Sequence, residues 1–449
     1  MLSRTSREFP RAVFALCVLV CLVLPPPVGA SRAGLRGGDD ATISTATREG
    51  RLRVFEEVWE QVRVRYYDPA LHGIDWRALG EEFRPLAAGA RDQTEFYAVL
   101  RRMLGRLRDP HTRVFPPGES ADWRVQRFIT VGISVREIGG EAVVTSVERG
   151  SEAEGAGVRA GDAVVSLDGE LVAALVARRV EEQAAAAAPL ATARLLAMAR
   201  LFDGPRETYV NAVFRGGRGR EKRARLRRQV QTRVPTLQMR SAGRGVHVVR
   251  FNIFTWEIAG QIARALGGGL RDARALVIDL RDNGGGETEA MADIASLFLP
   301  AGKSLGRFSD REGRVLVEPH TRSALQTTAE RPKGFRGPVV VLTGARTASA
   351  SEVFVAALRE AGRATVLGEG TCGCVLGIRR RHQLPDGGVL DVSEMDYRTA
   401  GGRRLEGVRI EPDEEIDITR LDLQRGRDRA VERAVEILKA GDRDRAYQP

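Results

Sequence analysis

Between Arg51 and Leu107 apolar residues recur at helical spacing: Phe55, Val58, Trp59 and Val62, then Phe83 and Leu86, then Phe96, Leu100, Met103, Leu104 and Leu107. The spacing predicts three or four helices packed as a small N-terminal unit. The pattern stops at Arg108-Asp109-Pro110-His111-Thr112, where Pro110 favours a loop. Beyond residue 128 the period shortens. β-rich runs at Ile129–Val135, Ala142–Val147 and Ala163–Leu167 are separated by Gly132, Gly139-Gly140, Gly161 and Asp168-Gly169. A helical stretch with an alanine-rich middle is predicted over Leu171–Leu201, and two strands flank Gly216-Gly217.

From Val246 the pattern alternates. Strands are predicted at Val246–Phe251, Ala275–Leu280, Val339–Leu342 and Ala364–Leu367, and helices at Ile258–Leu266, Glu289–Leu299 and Ser349–Glu360. Such alternation implies a sheet with parallel crossovers, so the fold class is α/β. Ligands of these sheets bind beyond the carboxyl ends of the strands. Two glycine-bearing turns fall there: Asp282-Asn283-Gly284-Gly285-Gly286, and Gly344 to Ser349. Leu421 to Lys439 reads as a closing helix.

The 449 residues are enough for two or three domains. The formal charge of +11 is carried almost wholly by arginine, since only four of the 70 basic residues are lysines. The arginines are scattered among acids, which points to compositional bias rather than to a nucleic-acid partner. A membrane surface is also compatible with this charge. Arg4, Arg7 and Arg11 precede an apolar run, Ala12 to Leu24, and Val28-Gly29-Ala30 then suits signal-peptidase cleavage. This predicts a signal peptide over 1–30 and export, to the periplasm or beyond; an uncleaved anchor is the alternative. Cys17 and Cys21 would leave with the signal. Cys372 and Cys374 would remain, and a disulfide between them would close a tight ring. Two sulfurs alone make a weak metal site, and no metal or organic cofactor is implied.

Candidate chemistry centres on Ser349. It stands in Thr347-Ala348-Ser349-Ala350-Ser351-Glu352, after the apolar strand and at the start of a helix. A strand that turns into a helix through small residues lifts a hydroxyl beside unpaired helical N–H groups, which can stabilise a developing negative charge. Acyl transfer there needs a base and two oxyanion donors. Ala350 N–H is one candidate donor. Gly285 is the other, because a residue without a side chain lets the backbone approach a reacting carbonyl. Ser349-x-x-Glu352 is equally a capping box.

The order of motifs decides between these readings. Asp109-Pro110-His111-Thr112, a β-rich module, Leu280 to Gly286, Thr347 to Glu352, Gly368-Glu369-Gly370-Thr371, Leu384-Pro385-Asp386-Gly387-Gly388 and Glu411-Pro412-Asp413 follow one another. This series resembles the carboxyl-terminal processing (tail-specific) proteases, S41-type serine peptidases. The resemblance implies a mixed α/β, ClpP/crotonase-like peptidase core over 240–420. It also implies an N-terminal helical region over 48–118, a PDZ-like domain over 124–230 and a C-terminal helix over 421–449. It makes Ser349 the nucleophile and Gly285 an oxyanion donor. In the PDZ-like module Val131, Gly132, Ile133 and Ser134 would form the carboxylate loop and edge strand that receive a polypeptide C-terminus.

The chain departs from the family at the base. The lysine that usually follows the serine by 25 residues falls on Cys374, and the assisting glutamine on Ile378. His111 is the replacement candidate, since imidazole is the commonest general base and tricorn-type relatives use an N-terminal histidine. The carboxylate that would orient it is left open. The expected function is therefore an exported serine endopeptidase that cleaves unstructured polypeptide C-termini. The alternative is a catalytically silent relative that binds chain termini as adaptor or sensor. Oligomeric state is not readable.

Overall fold

The computed structural model describes residues 43–119, 126–185, 194, 197–325 and 334–446. The predicted signal segment, with Cys17 and Cys21, lies outside the described residues.

Three helices, Arg48–Arg65, Trp76–Gly89 and Gln93–Gly105, form the N-terminal region. Each begins at a side-chain cap: Thr47, Asp75 and Asp92 accept from backbone N–H groups in the first turn. Their apolar faces bury Val54, Phe55, Phe83, Phe96, Leu100 and Met103. The same core takes Leu376, Leu384, Leu390 and Val392 from the far end of the chain. Leu390 and Val392 lie in, and Leu376 and Leu384 flank, strands of a sheet that unites distant parts of the sequence. Arg113–Phe115 pairs antiparallel with Val389–Arg398, in the register Arg113↔Asp391. Val389–Arg398 in turn pairs with Gly377–Gln383 and Arg307–Ser309. The segment that carries His111 is thus stitched to the C-terminal half.

The central sheet has six strands in the spatial order Leu237–Ser241, Val246–Phe251, Ala275–Asp279, Val339–Thr343, Ala364–Gly368 and Glu414–Glu415. All neighbours are parallel except the first pair. Ala275–Asp279 and Val339–Thr343 are buried throughout, as strands covered on both faces must be. Helices Trp256–Gly267, Thr288–Ser296 and Ala350–Glu360 share a core with one face of the sheet, and helix Arg429–Ala446 shares one with the other. The closing helix predicted from Leu421 is in fact two, Arg420–Gln424 and Arg429–Ala446. Gly426, at φ 65°, turns the chain between them.

Between the helical region and the central sheet lies a β-rich module. Its sheet runs Ile133–Ile138, Glu141–Val147, Ala163–Leu167, Tyr209–Arg215 and Glu221–Arg227, closed by helix Val172–Ala185 on a shared core. The run predicted as one strand over Ile129–Val135 is broken. Gly132 at φ 77° ends Gln126–Thr130, which pairs instead with Gln229–Arg233. The module is held to the core by Arg136 on Glu369 (2.6 and 2.5 Å) and by Arg420 on Glu141 (2.5 Å) and on the Gly161 carbonyl (3.1 Å).

Candidate active site

Ser349 occupies the turn between strand Val339–Thr343 and helix Ala350–Glu360, at the carboxyl edge of the central sheet. Its backbone is at φ 56°, ψ −125°, a conformation that costs a non-glycine residue roughly 1–3 kcal/mol. Neighbouring groups hold it there. Its N–H donates to the Cys374 carbonyl (2.8 Å) and to Glu352 Oε2 (3.2 Å). The Glu352 contact is the one a capping box requires, but capping alone does not call for a left-handed φ. Thr347 Oγ donates to the Leu280 carbonyl (2.8 Å), and Ala348 N–H to the Asn283 carbonyl (3.2 Å). The Ser349 turn is therefore bonded directly to the glycine loop after the neighbouring strand.

Asn283 is the hub of that loop. It is fully buried, and its side chain accepts from Ser351 Oγ (2.8 Å) and from Gly285 N–H (3.0 Å) while donating to the Phe251 carbonyl (3.2 Å). A Cβ on Gly285 would lie 2.7 Å from Ser349 Cβ and 3.0 Å from Ala350 N, so only glycine fits. The sequence reading expected Gly285 to admit a reacting carbonyl; the neighbour it admits here is the Ser349 turn. The Gly285 N–H, however, points at Asn283 Oδ1. The oxyanion role predicted for it therefore requires that peptide to rotate away from Asn283. Ala350 N–H has no acceptor among the described residues.

Glu352 lies fully buried beneath the serine. Burial pushes its carboxyl up from the ordinary carboxylate value. Against this act Thr371 Oγ (2.5 Å), Cys374 N–H (2.9 Å), Gly373 N–H (2.8 Å) and Ser349 N–H. Cys372 and Cys374 are joined by a disulfide. A bonded sulfur has no proton to exchange, so Cys374 offers no thiolate base in this state.

His111 is fixed by Asp109. The buried Asp109 carboxylate accepts the His111 backbone N–H (2.8 Å) and Thr112 Oγ (2.5 Å), and lies 3.5 Å from His111 Nδ1 without a hydrogen bond to that nitrogen. Burial acts to raise the Asp109 carboxyl, but the His111 imidazole beside it and the Thr112 hydroxyl outweigh burial and hold it below its ordinary value. Thr112 Oγ also accepts Ser393 N–H (3.1 Å), which anchors the His111 loop on strand Val389–Arg398.

The residue that sequence reasoning missed is Glu406. Its Oε2 accepts Val375 N–H (2.7 Å). Val375 follows Cys374, whose carbonyl holds Ser349 N–H. Burial pushes the Glu406 carboxyl up to about 7. The Val375 N–H and the charge of His111 pull it down, while Asp109 and Glu352 push it up further. Glu406 is thus in electrostatic reach of His111 and of Glu352, with residues 374–375 linking it to the serine turn. It stands in a loop whose turn glycines, Gly402 and Gly407, are the only local signal.

The polypeptide-binding candidates lie in the β-rich module. Val131 is buried in its core, and Gly132 takes the positive φ, where a Cβ would strike Ser151. Ile133 and Ser134 begin a strand that pairs on one side with Glu141–Val147 and, among the described residues, with no strand on the other. A cleft of about 750 Å³ opens between this module and the core, lined by Arg136, Ala345, Glu369, Glu411, Asp417 and Arg420.

Comparison with known proteins fits this geometry. Residues 245–416 match Peptidase family S41, and residues 48–105 match the Tricorn protease C1 domain. The chain is 27% identical over 389 residues to the chloroplastic Carboxyl-terminal-processing peptidase 1 of Arabidopsis thaliana, covering 84% of this chain and 73% of that protein. It is 27% identical over 393 residues to the Carboxyl-terminal-processing protease of Synechocystis sp., covering 85% and 84%. Among solved structures, the photosystem II D1 C-terminal processing protease superposes with TM-score 0.51 at 26% identity, over 82% of this chain and 93% of that one. The segment that holds Ser349, Gly285, Cys374 and Glu406 falls within the match to Peptidase family S41.

Proposed function

We propose that this chain is a serine endopeptidase of the peptidase family S41 type that works without a lysine at the position 25 residues after its serine, where Cys374 stands. Ser349 is the nucleophile. The observation that carries this reading is its backbone. A serine is held at a left-handed φ on a helix N-terminus, packed against a glycine that admits no side chain, beside an Ala350 N–H that has no acceptor among the described residues.

His111 is the base. It takes the Ser349 Oγ proton as oxygen attacks the peptide carbonyl, and returns it to the leaving amine. Water then repeats the sequence on the acyl-enzyme. Glu406 supplies the negative charge that stabilises the imidazolium formed in between. Asp109 fixes the loop from which His111 projects. Ala350 N–H, joined by Gly285 N–H once that peptide turns, holds the oxyanion.

The β-rich module is a PDZ-like domain in this reading. The open edge of Ile133–Ile138 adds an extended peptide as a further strand, and the Val131–Ser134 turn meets its carboxylate. The substrates are unstructured C-terminal regions of polypeptides, and the N-terminal segment exports the enzyme. The test is to incubate the protein with a disordered polypeptide and identify the products by mass spectrometry. Internal cleavage that disappears in Ser349→Ala supports the proposal. An intact substrate under all conditions, with free binding of its C-terminus, would point to an adaptor instead.

A further inference from the structure

We propose that the Cys372–Cys374 disulfide is a thiol-exchange switch acting on the Ser349 turn; the inference rests on Ser349 being the nucleophile. The two α-carbons are 5.2 Å apart with only Gly373 between them, at φ 72°. A bridge that closes so short a loop removes little freedom from the unfolded chain, so it adds little to global stability. Its effect is local, and its location defines that effect.

Every backbone N–H of the bridged tripeptide is bonded to the serine turn or to the glutamate beneath it. Cys372 N–H donates to the Thr347 carbonyl (2.9 Å), Gly373 N–H to Glu352 Oε1 (2.8 Å) and Cys374 N–H to Glu352 Oε2 (2.9 Å). The Cys374 carbonyl accepts Ser349 N–H (2.8 Å), and the Gly373 carbonyl accepts the N–H of Gly407, the neighbour of Glu406 (2.9 Å). One small ring therefore braces the nucleophile, the buried carboxylate under it and the loop that carries Glu406. The bond fixes the shape in which these contacts are made together.

The ring is reachable from one side. Cys372 is partly exposed, whereas Cys374 is 8% exposed. A thiolate of an external dithiol attacks Cys372 Sγ, forming a mixed disulfide and expelling the Cys374 thiolate, which takes up a proton. The second thiolate of the reductant then attacks its own sulfur in the mixed disulfide and frees Cys372. Two electrons and two protons pass from the dithiol to the protein, and the reductant leaves as its cyclic disulfide. Once the ring is open, Gly373 is no longer bound to its left-handed conformation. Glu352, a buried carboxylate, then loses the fixed donors that compensate its burial. The Ser349 N–H loses its fixed acceptor. Misplacement of a nucleophile on this scale lowers reaction rate by roughly ten- to a hundredfold.

Two readouts test this on the full chain with and without dithiothreitol, with circular dichroism showing that the fold is kept. The first is hydrogen exchange of the segments 347–353 and 371–376, which needs no activity. The second is the rate at which a fluorophosphonate labels Ser349. The proposal expects faster exchange in both segments on reduction, at least about tenfold slower labelling, and recovery of both on reoxidation. The double variant Cys372→Ser, Cys374→Ser should match the reduced wild type and ignore the dithiol. Equal exchange in the two redox states would overturn the switch, as would labelling that is unchanged on reduction. If neither state is labelled, the serine-enzyme reading fails, and the exchange comparison still decides whether the disulfide braces the turn.

Discussion

Gly285 and Ser349 are packed so closely that a single methyl group cannot be placed between them: the missing Cβ of Gly285 would fall 2.7 Å from that of Ser349 and 2.8 Å from the Ala348 carbonyl oxygen. Gly285 also sits at φ 102°, outside the region that L side chains adopt. Gly285→Ala should therefore displace the serine turn, with a fall of about a hundredfold in kcat/KM. Steady-state cleavage kinetics, with a melting curve to confirm folding, check this.

Ser349 itself stores strain that a glycine would relieve. Ser349→Gly should abolish cleavage and stabilise the protein by about 1 kcal/mol. Denaturant titration of the two proteins measures the difference. A destabilised Ser349→Gly would mean that the hydroxyl contributes to the fold more than the strained backbone costs.

The elements that carry the candidate site were legible in the chain because they are built from local features. An apolar strand, a turn of small residues and a helix locate Ser349 within one stretch of sequence, and the 282–286 glycines mark the turn beside it. Ligand sites at the carboxyl ends of parallel strands then bring the two together. Glu406 was illegible for the opposite reason. It is held by Val375 and feels the charge of His111, 31 and 295 residues away in the chain, and a loop glutamate among arginines carries no periodicity. The sheet that anchors His111 escaped notice likewise, because Arg113–Phe115 is only three residues long and finds its partner near Asp391. The split of the closing helix was readable in part, since Gly426 is a helix-stop residue in the sequence.

Glu406 gives the site a pH signature. Its carboxyl is held at about 7, above the ordinary 4.5, chiefly by burial. The protonated form cannot stabilise an imidazolium, so kcat/KM should rise as pH increases through about 7. The stability sign is opposite. The folded state binds this proton more tightly than the unfolded chain, so the stabilisation is complete below 4.5 and is lost as pH rises through about 7. Glu406→Gln should remove both effects. Activity should be low and without this pH rise, while the melting temperature at pH 8 should be about 2–4 °C higher than that of the parent protein. A pH–rate profile and melting curves at several pH values check the pair of signs.

The free edge of Ile133–Ile138 predicts a preference for chain ends. If the module receives chain ends as proposed, a peptide with a free carboxylate should bind the full-length Ser349→Ala protein about tenfold more tightly than its C-terminal amide, because hydrogen bonds from N–H groups to an ionised carboxylate are stronger than those to a neutral amide. Fluorescence anisotropy of a labelled peptide pair measures this, and equal affinities would remove the module from substrate recognition.

The most direct measurement of the central claim, that the imidazole of His111 activates Ser349, is the rate of fluorophosphonate labelling in the parent protein, Ser349→Ala and His111→Gln. Labelling of the parent, none in Ser349→Ala, and a loss of at least about a hundredfold in folded His111→Gln is the expected result. A His111→Gln protein that is labelled as fast as the parent would contradict the account, because the base would then have to be some other group.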